Sequence, residues 1–491
     1  MGNNKLELTW IGKDNQPQLE PRILIEDPSK SYGDKNTQNM LIHGDNLLAL
    51  KALEQDYAGK IKCIYIDPPY NINVANPHYN DDKPNSDWLS LMNARLHIIY
   101  KLLHEDGLLA VQIDDEQFAR LYLLISEVFG GDRNLKTIVV KMSESSGLKM
   151  GAVKRSGIIP KLKEYIILAK KNGVKNLKPI YIRKDKWDDE YNNFVENFSR
   201  EDRDYIDSIS EKDDISDEDI NKVDKILSNI KTKSISYILK DLNINSEEDR
   251  SNWLFENSWR IFRTTASTSV FNLVEEKKKY CNQIYFAVKS KKDGLLYIAK
   301  SDYSTLSKQP RVQILFSDNN LMTNLGDLWM DIKTTGLDAE GNVSFKNSKK
   351  PEFLINRILY ISTKEGDIVL DSFLGSGTTA AVAHKMNRKW IGIELGDHCD
   401  THCLPRLKQV VDGTDQGGIS KSVNWNGGGG FKYYDLAPSL LKQDKYGNWI
   451  IDSRYNADML ASAMAKHEGF KYQPDTNCYW KQGIKYNENK K

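Results

Sequence analysis

The chain has 491 residues, 40% of them apolar and 28% charged, with 69 Lys+Arg against 68 Asp+Glu. This balance excludes a wholly disordered, fibrous or membrane-embedded chain and fits a globular protein of two to four domains at roughly 100–200 residues each. No apolar run approaches the roughly 18 residues of a membrane span, the N-terminus has no basic flank leading into an apolar stretch, and five scattered cysteines make no disulfide framework, so a cytoplasmic protein with reduced thiols is expected.

In chain order, the first strong strand signal is the apolar run IKCIYI, which leads directly into Asp67-Pro68-Pro69-Tyr70. A helical pattern follows over 88–107, then a strand within 107–116 that ends at Asp114-Asp115, then a second helical pattern over 116–130. From Arg133 to Lys184 there are fourteen Lys or Arg against two acids, Glu144 and Glu164, a local surplus of twelve positive charges. Apolar groups are spaced between these cations as in short strands with basic turns, so the segment is a candidate track for an anionic partner rather than a tail. From Glu201 to Lys225 the balance reverses to eleven acids against four bases, in a helix-forming pattern that reads as an exposed structural insertion. Strand and helix signals return with GDIVLDSFLGSGTT (366–379), a helix over 378–387, and KWIGIEL (389–395). Strands alternating with helices predict a doubly wound α/β sheet, and the two blocks, about 40–130 and 350–410, read as one sheet split by a long insertion. The remainder is rich in glycine and aromatic residues.

Ligands of open α/β sheets bind beyond the carboxyl ends of the strands, so the residues that follow each strand carry the functional information. Asp67-Pro68-Pro69-Tyr70 offers a carboxylate, a carbonyl at Pro68 and a flat aromatic face, which suit a planar ligand bearing an exocyclic NH₂. The second strand end is Asp371-Ser372-Phe373-Leu374-Gly375-Ser376-Gly377-Thr378-Thr379. Its glycines permit close backbone approach, and the helix opening at Thr378 offers free N–H groups. The loop has neither the G-x-G-x-x-G spacing of dinucleotide binders nor the G-K-[ST] of a P-loop. Glu394 ends the next strand, where an acid would hold a ribose hydroxyl pair. His398, Cys399, His402 and Cys403 could bind zinc on paper, but they fall in a helical stretch and are read as core and surface positions, so no metal is expected.

FLGSGTT resembles the S-adenosylmethionine motif of amino-methyltransferases, and DPPY resembles their catalytic motif. DPPY precedes FLGSGTT here, with the basic insertion between them, an order that resembles the β class of DNA methyltransferases. LIHGDNLLAL (41–50), DPPYN (67–71), the stretch 87–115 and GGISKSVNWNGGGGFKYYDL (417–436) are similar to the modification (Mod) subunits of type III restriction-modification systems and their stand-alone relatives. The similarity covers almost the whole chain outside about 185–330. DPPYN runs on into Ile72-Asn73 where the type III pattern commonly has Thr-Gly, and the chain is shorter than a typical Mod subunit.

The resemblance implies a mostly parallel methyltransferase sheet, circularly permuted and split by an inserted target-recognition domain. The expected boundaries are a catalytic half over 1–132, target recognition with the acidic helical insertion over 133–335, a cofactor-binding half over 336–415 and an extension over 416–491. Asp67, Pro68, Pro69 and Tyr70 would meet the target base. Phe373, Gly375 and Gly377 would take the methionine end of S-adenosylmethionine, with Asp371 and Thr378 of the same loop also binding the cofactor; Glu394 would take its ribose and Asp45 its adenine side, while Lys350-Pro351 would open the helix lining the cofactor pocket. The implied reaction is methylation of the N6 amine of an adenine flipped out of double-stranded DNA. Cytosine N4 is the alternative, although relatives acting there more often carry Ser where Asp67 stands. Lys149, Lys154 and Arg155 are the expected DNA contacts, a homodimer is the expected assembly, and a helicase-nuclease restriction (Res) subunit is a possible partner.

Overall fold

Apolar runs without polar alternation need cover on both faces, the situation of a strand in a parallel sheet. Such runs form the centre of the computed structural model, which describes residues 7–485 except 16, 72–82, 145–158, 185, 211, 213, 291, 293, 305, 344, 346–348, 476 and 479–482. The chain lays down β1 (Leu24–Glu26), β2 (Tyr32–Gly33), β3 (Met40–His43), β4 (Ile61–Ile66), β5 (Leu103–Ile113), β6 (Leu135–Lys141) and β7 (Lys163–Ala169). It then runs through β8 (Tyr181–Arg183), β9 (Asn193–Glu196), β10 (Lys231–Ser234), β11 (Ile261–Ala266), β12 (Tyr285–Lys289), β13 (Leu296–Lys300), β14 (Arg311–Phe316) and β15 (Met322–Asn324). It returns with β16 (Leu328–Trp329), β17 (Ile368–Asp371), β18 (Lys389–Glu394) and β19 (Gly430–Leu436). The contacts divide the chain into one unit of residues 1–179 and 326–491 and a second of residues 180–325.

Among the described residues of the first unit, eleven strands make one sheet in the order β1-β19-β3-β18-β17-β4-β5-β7-β6-β16, with β2 on β19. The run from β19 through β3, β18, β17 and β4 to β5 is parallel throughout. The two α/β blocks therefore interleave: β17 and β18, from the far side of the insertion, lie between β3 and β4. Ile64, Ile66, Leu109, Val111, Leu370 and Ile391 are buried in one apolar cluster across the seam between the blocks.

Helix α1 (Asn46–Tyr57) begins where the Asp45 side chain accepts from the Leu47 and Leu48 N–H groups, as an N-cap should. Helix α2 (Asn85–Leu102) stops five residues before its periodic pattern ends, because Leu103 already pairs with Ile61 of β4. Gly107 permits that pairing, since a Cβ there would lie 2.9 Å from the Ile61 carbonyl. Helix α3 (Asp115–Phe129) is capped by Asp114. The basic strands β6 and β7 join this sheet as an antiparallel extension beyond β5, so the unit boundary falls at 179/180, later than the charge change at 133 marks it.

The second unit has its own antiparallel sheet, ordered β10-β9-β11-β14-β13-β12. The acidic stretch forms helices Arg200–Ser210 and Asp217–Leu227. They bury Ile206, Ile209, Val223 and Leu227 in one core with Phe262 and Phe316 of that sheet, and Asp224 pairs with Lys277 and accepts from the Ala287 N–H, so the stretch is packed rather than exposed throughout.

Candidate active site

β4 and β17 are neighbours, with Cys63 opposite Val369 and Ile64 opposite Leu370, but their successors diverge. After β4 the chain moves to β5 on one side, and after β17 to β18 on the other. This is a topological switch point, where departing loops leave a crevice at the carboxyl ends of the strands. Asp67-Pro68-Pro69-Tyr70 leaves β4 there, and Asp371 ends β17 ahead of the Gly-rich loop and helix Thr378–Lys385. A small cavity touches Asp67, Lys350, Asp371, Phe373, Gly375 and Thr378, bringing the two motifs into one site although 300 residues separate them in the chain.

The Gly-rich loop is tied to two carboxylates. Asp371 accepts from the Phe373 N–H at 2.9 Å and from the Thr379 hydroxyl at 2.6 Å. Glu394 accepts from the Gly375 N–H at 2.7 Å through one oxygen and from the Leu395 and Gly396 N–H groups through the other, which also lies 2.9 Å from His398 Nε2. Gly375 and Gly377 have φ of +57° and +81°, in the left-handed region where a side chain is strained. Burial pushes the Asp371 carboxyl up to about 7, assisted by the nearby Asp67 and Glu394 carboxylates.

Across the crevice, Trp88 donates to the Pro69 carbonyl at 2.8 Å and so fixes the second proline. The Tyr70 hydroxyl reaches Asp67 Oδ1 at 2.8 Å, and the Lys350 ammonium stands 3.3 Å from Asp67 Oδ2 and 4.9 Å from the Tyr70 ring centre. Burial pushes the Asp67 carboxyl up to about 6 despite the Lys350 cation beside it. Lys350 therefore meets the DPPY motif directly, and Pro351 occupies the N-cap of helix Glu352–Ser362, the opening read from the sequence. The Asp45 carboxylate caps α1 and lies 3.6 Å from Arg95, whose Nε donates to Asn46 Oδ1; Asn46 in turn donates to the Ser372 carbonyl at 2.6 Å. Lys149, Lys154 and Arg155 lie outside the described residues.

Several residues at the site carried no motif signal. Glu164, visible in the sequence only as a rare acid among cations, reaches the Tyr70 hydroxyl at 2.7 Å and Lys350 at 3.1 Å. Arg406 donates to the Ser376 carbonyl at 3.2 Å and the Thr378 hydroxyl at 2.7 Å from behind the Gly-rich loop. Arg406 is itself bound to Glu352 at 2.8 Å, within a buried set in which Lys385 bridges Glu352 and Asp415. Of the HCDTHC residues, Cys403 stands behind the same loop, its Sγ donating to the Gly375 carbonyl, and burial pushes the Cys399 thiol up to about 12. The basic segment is partly neutralised in place, since Lys141, Lys161, Lys163, Lys170 and Lys171 pair with Glu144, Asp114, Asp115, Asp106 and Glu105.

A switch-point crevice with a half-buried carboxylate and a tyrosine on one lip and a carboxylate-tied Gly loop on the other defines a ligand site of the doubly wound α/β class. Residues 61–401 match the N6/N4 methyltransferase family model, described as DNA methylase, and the chain belongs to that family. It is 38% identical over 423 residues to the probable type III restriction-modification enzyme HindVI Mod subunit of Haemophilus influenzae, covering 82% of this chain and 54% of that protein. It is 25% identical to the EcoP15I Mod subunit of Escherichia coli, covering 91% and 73%, and 28% identical to the EcoPI Mod subunit of Escherichia phage P1, covering 79% and 62%. The chain thus spans between about half and three quarters of the length of these relatives.

Proposed function

We propose that this chain transfers a methyl group from S-adenosylmethionine to the N6 amine of an adenine flipped out of double-stranded DNA, as the modification component of a restriction-modification system. The observation that carries this reading is the meeting of Asp67-Pro68-Pro69-Tyr70 and the Gly375/Gly377 loop on adjacent strand ends at the switch point. The residues fit the cofactor. Two glycines in left-handed backbone let the loop approach a ligand closely, Phe373 lines the cavity beside them, and Asp371 and Glu394 hold the loop in place. When bound, S-adenosylmethionine supplies a methyl group already activated by its sulfonium.

The protein's task is then alignment and proton handling. The adenine amine is a poor nucleophile because its lone pair is delocalised into the ring. In this reading the Asp67 carboxylate and the Pro68 carbonyl accept its two hydrogens, which favours a pyramidal nitrogen with its lone pair directed at the methyl group. A carboxyl near pKa 6 is suited to take the proton that the nitrogen sheds. Tyr70, held by its hydroxyl and with a partly exposed ring, is the stacking surface for the extruded base. Residues 180–325 form the proposed target-recognition unit, and Lys149, Lys154 and Arg155 are the proposed phosphate contacts. A homodimer and an association with a Res subunit belong to the same reading; the three relatives named above are Mod subunits of type III enzymes, and among the described residues no helix is long and apolar enough to cross a membrane.

The test is to incubate the protein with S-adenosylmethionine and unmethylated genomic DNA, digest to nucleosides and identify the products by mass spectrometry. N6-methyldeoxyadenosine is the expected product. N4-methyldeoxycytidine would transfer the reading to cytosine, and the absence of any methylated nucleoside would overturn it.

A further inference from the structure

Behind the DPPY loop, three parts of the first unit converge on one largely buried polar set: Glu164 from β7, Gln112 from β5 and Lys350 from the segment ahead of helix Glu352–Ser362. The Tyr65 hydroxyl donates to Gln112 Oε1 at 2.6 Å, which turns the Gln112 amide so that its NH₂ donates to Glu164 Oε2 at 2.5 Å. The Lys350 ammonium lies between Glu164 and Asp67, 3.1 Å from one carboxylate and 3.3 Å from the other, and donates to the Tyr70 hydroxyl at 2.7 Å. Tyr70 has one hydroxyl proton and two carboxylates within reach, Asp67 and Glu164. One cation therefore serves two acids, and its division between them governs both.

We infer that Lys350 and Glu164 are positioning residues for the proposed methyl transfer: the shared ammonium sets how much negative charge Asp67 carries, and through the Tyr70 hydroxyl the pair fixes how Asp67 faces the amine. The inference rests on the methyl-transfer reading and goes beyond it, assigning a role to Glu164 and a second one to Lys350 at the base rather than at the cofactor. Among the described residues, the charged and titratable groups facing Asp67 are Lys350 and Glu164, Tyr70 on its own loop, Tyr65 on β4 and Asp371 on β17. Of these only Lys350 is a cation. Burial opposes the charge on Glu164, yet Lys350 and the hydrogen bonds from Gln112 and Tyr70 hold its carboxyl below the usual range. Burial likewise opposes the charge on Lys350, and the two carboxylates raise its pKa above the ordinary value. The pair is therefore charged at neutral pH, and Asp67 bears the cost of sharing its cation.

The two partners act on Asp67 with opposite signs, which gives a test that a merely structural role would fail. Single-turnover transfer of labelled methyl to unmethylated genomic DNA is measured from pH 5 to 9 with protein saturated in S-adenosylmethionine. The unsubstituted protein loses rate on the acid side as Asp67 protonates. Glu164→Gln removes a repelling carboxylate and leaves Lys350 to Asp67 alone, so its acid limb moves to lower pH. Lys350→Met removes the cation beside Asp67, so its limb moves to higher pH by roughly one to three units, and rate lost at pH 7 returns toward pH 9. Lys350→Arg keeps the cation and the original limb. Opposite displacements support the inference. Loss of amplitude without displacement, or displacement in one common direction, overturns it. Should Lys350→Met fail to fold, a Glu164→Gln limb that stays in place is enough to overturn it. An unsubstituted protein that methylates no adenine at any pH instead defeats the reaction itself, and this inference with it.

Discussion

Asp67 and Asp371 end adjacent strands of one crevice, and burial raises both carboxyls, yet they answer to different tests because one is the proposed contact to the base and the other holds a loop. Asp67→Ala is expected to abolish methyl transfer while leaving S-adenosylmethionine affinity, measured by calorimetry, nearly unchanged, since the Gly-rich loop is held by Asp371 and Glu394. Substantial residual transfer in that variant would remove Asp67 from the chemistry. Asp371 makes a prediction about stability. Its folded pKa of about 7 lies above the ordinary carboxylate value, so between roughly pH 4 and 7 the folded protein keeps a proton that the unfolded chain has lost, and stability falls as pH rises through that window. Asp371→Asn should flatten this decline by up to about 1.4 kcal/mol per pH unit. The measurement is the urea midpoint at pH 5 and pH 7 for both proteins. Asp67, raised to about 6, and Glu340, raised to about 7, leave a residual slope in the variant. Equal slopes in the two proteins would mean that Asp371 is already ionised at pH 5.

The elements that hold the site differ in how legible they are. β4, β5, β17 and β18 can be read from the sequence because a strand buried on both faces must be apolar throughout, and the loops after them can be read because function sits at strand ends. Their neighbours in the sheet are harder to find. Nothing in the periodicity of the Arg133–Lys184 segment shows that β6 and β7 extend the sheet antiparallel, since pairing partners are set by distant surfaces. The supports of the Gly-rich loop are likewise invisible, because Glu352, Lys385, Arg406 and Asp415 obey no spacing rule and meet only on folding. These four charges join helix Glu352–Ser362 to helix Thr378–Lys385, to Leu404–Val411 and to the chain after it. Glu352 also accepts from the Ile419 N–H, so removing it takes a carboxylate from both cations, leaves Lys385 to Asp415 alone and unpairs a backbone donor in the interior. Glu352→Ala is expected to destabilise the protein by roughly 3–5 kcal/mol, read as a lower urea midpoint. A loss under about 1 kcal/mol would show that water enters and replaces the carboxylate.

At the scale of the whole chain, charge counted along the sequence differs from charge presented to a partner. The twelve-charge surplus of Arg133–Lys184 is partly offset by ion pairs within the chain, where Lys161 and Lys163 meet the acids that open α3 and Lys170 and Lys171 meet the acids at the start of β5. If the segment between β6 and β7 still supplies phosphate contacts, these fall to Lys149, Lys154 and Arg155, which carry three positive charges within seven residues. Replacing all three with Ala should weaken binding to DNA duplexes and flatten the dependence of log K on log salt by up to about 0.9 per lost phosphate contact. S-adenosylmethionine affinity, measured in parallel, should not change, because the Gly-rich loop is tied to Asp371, Glu394 and Arg406. A uniform loss of affinity across unrelated DNA sequences is the further expectation, since contacts to phosphate position a duplex without reading it. Wild-type affinity with an unchanged salt slope would exclude these three residues from the DNA track, and the search for it would turn to the cations of residues 180–325, beginning with Arg260 and Arg263, which lie over the rings of Phe194, Trp259 and Tyr191.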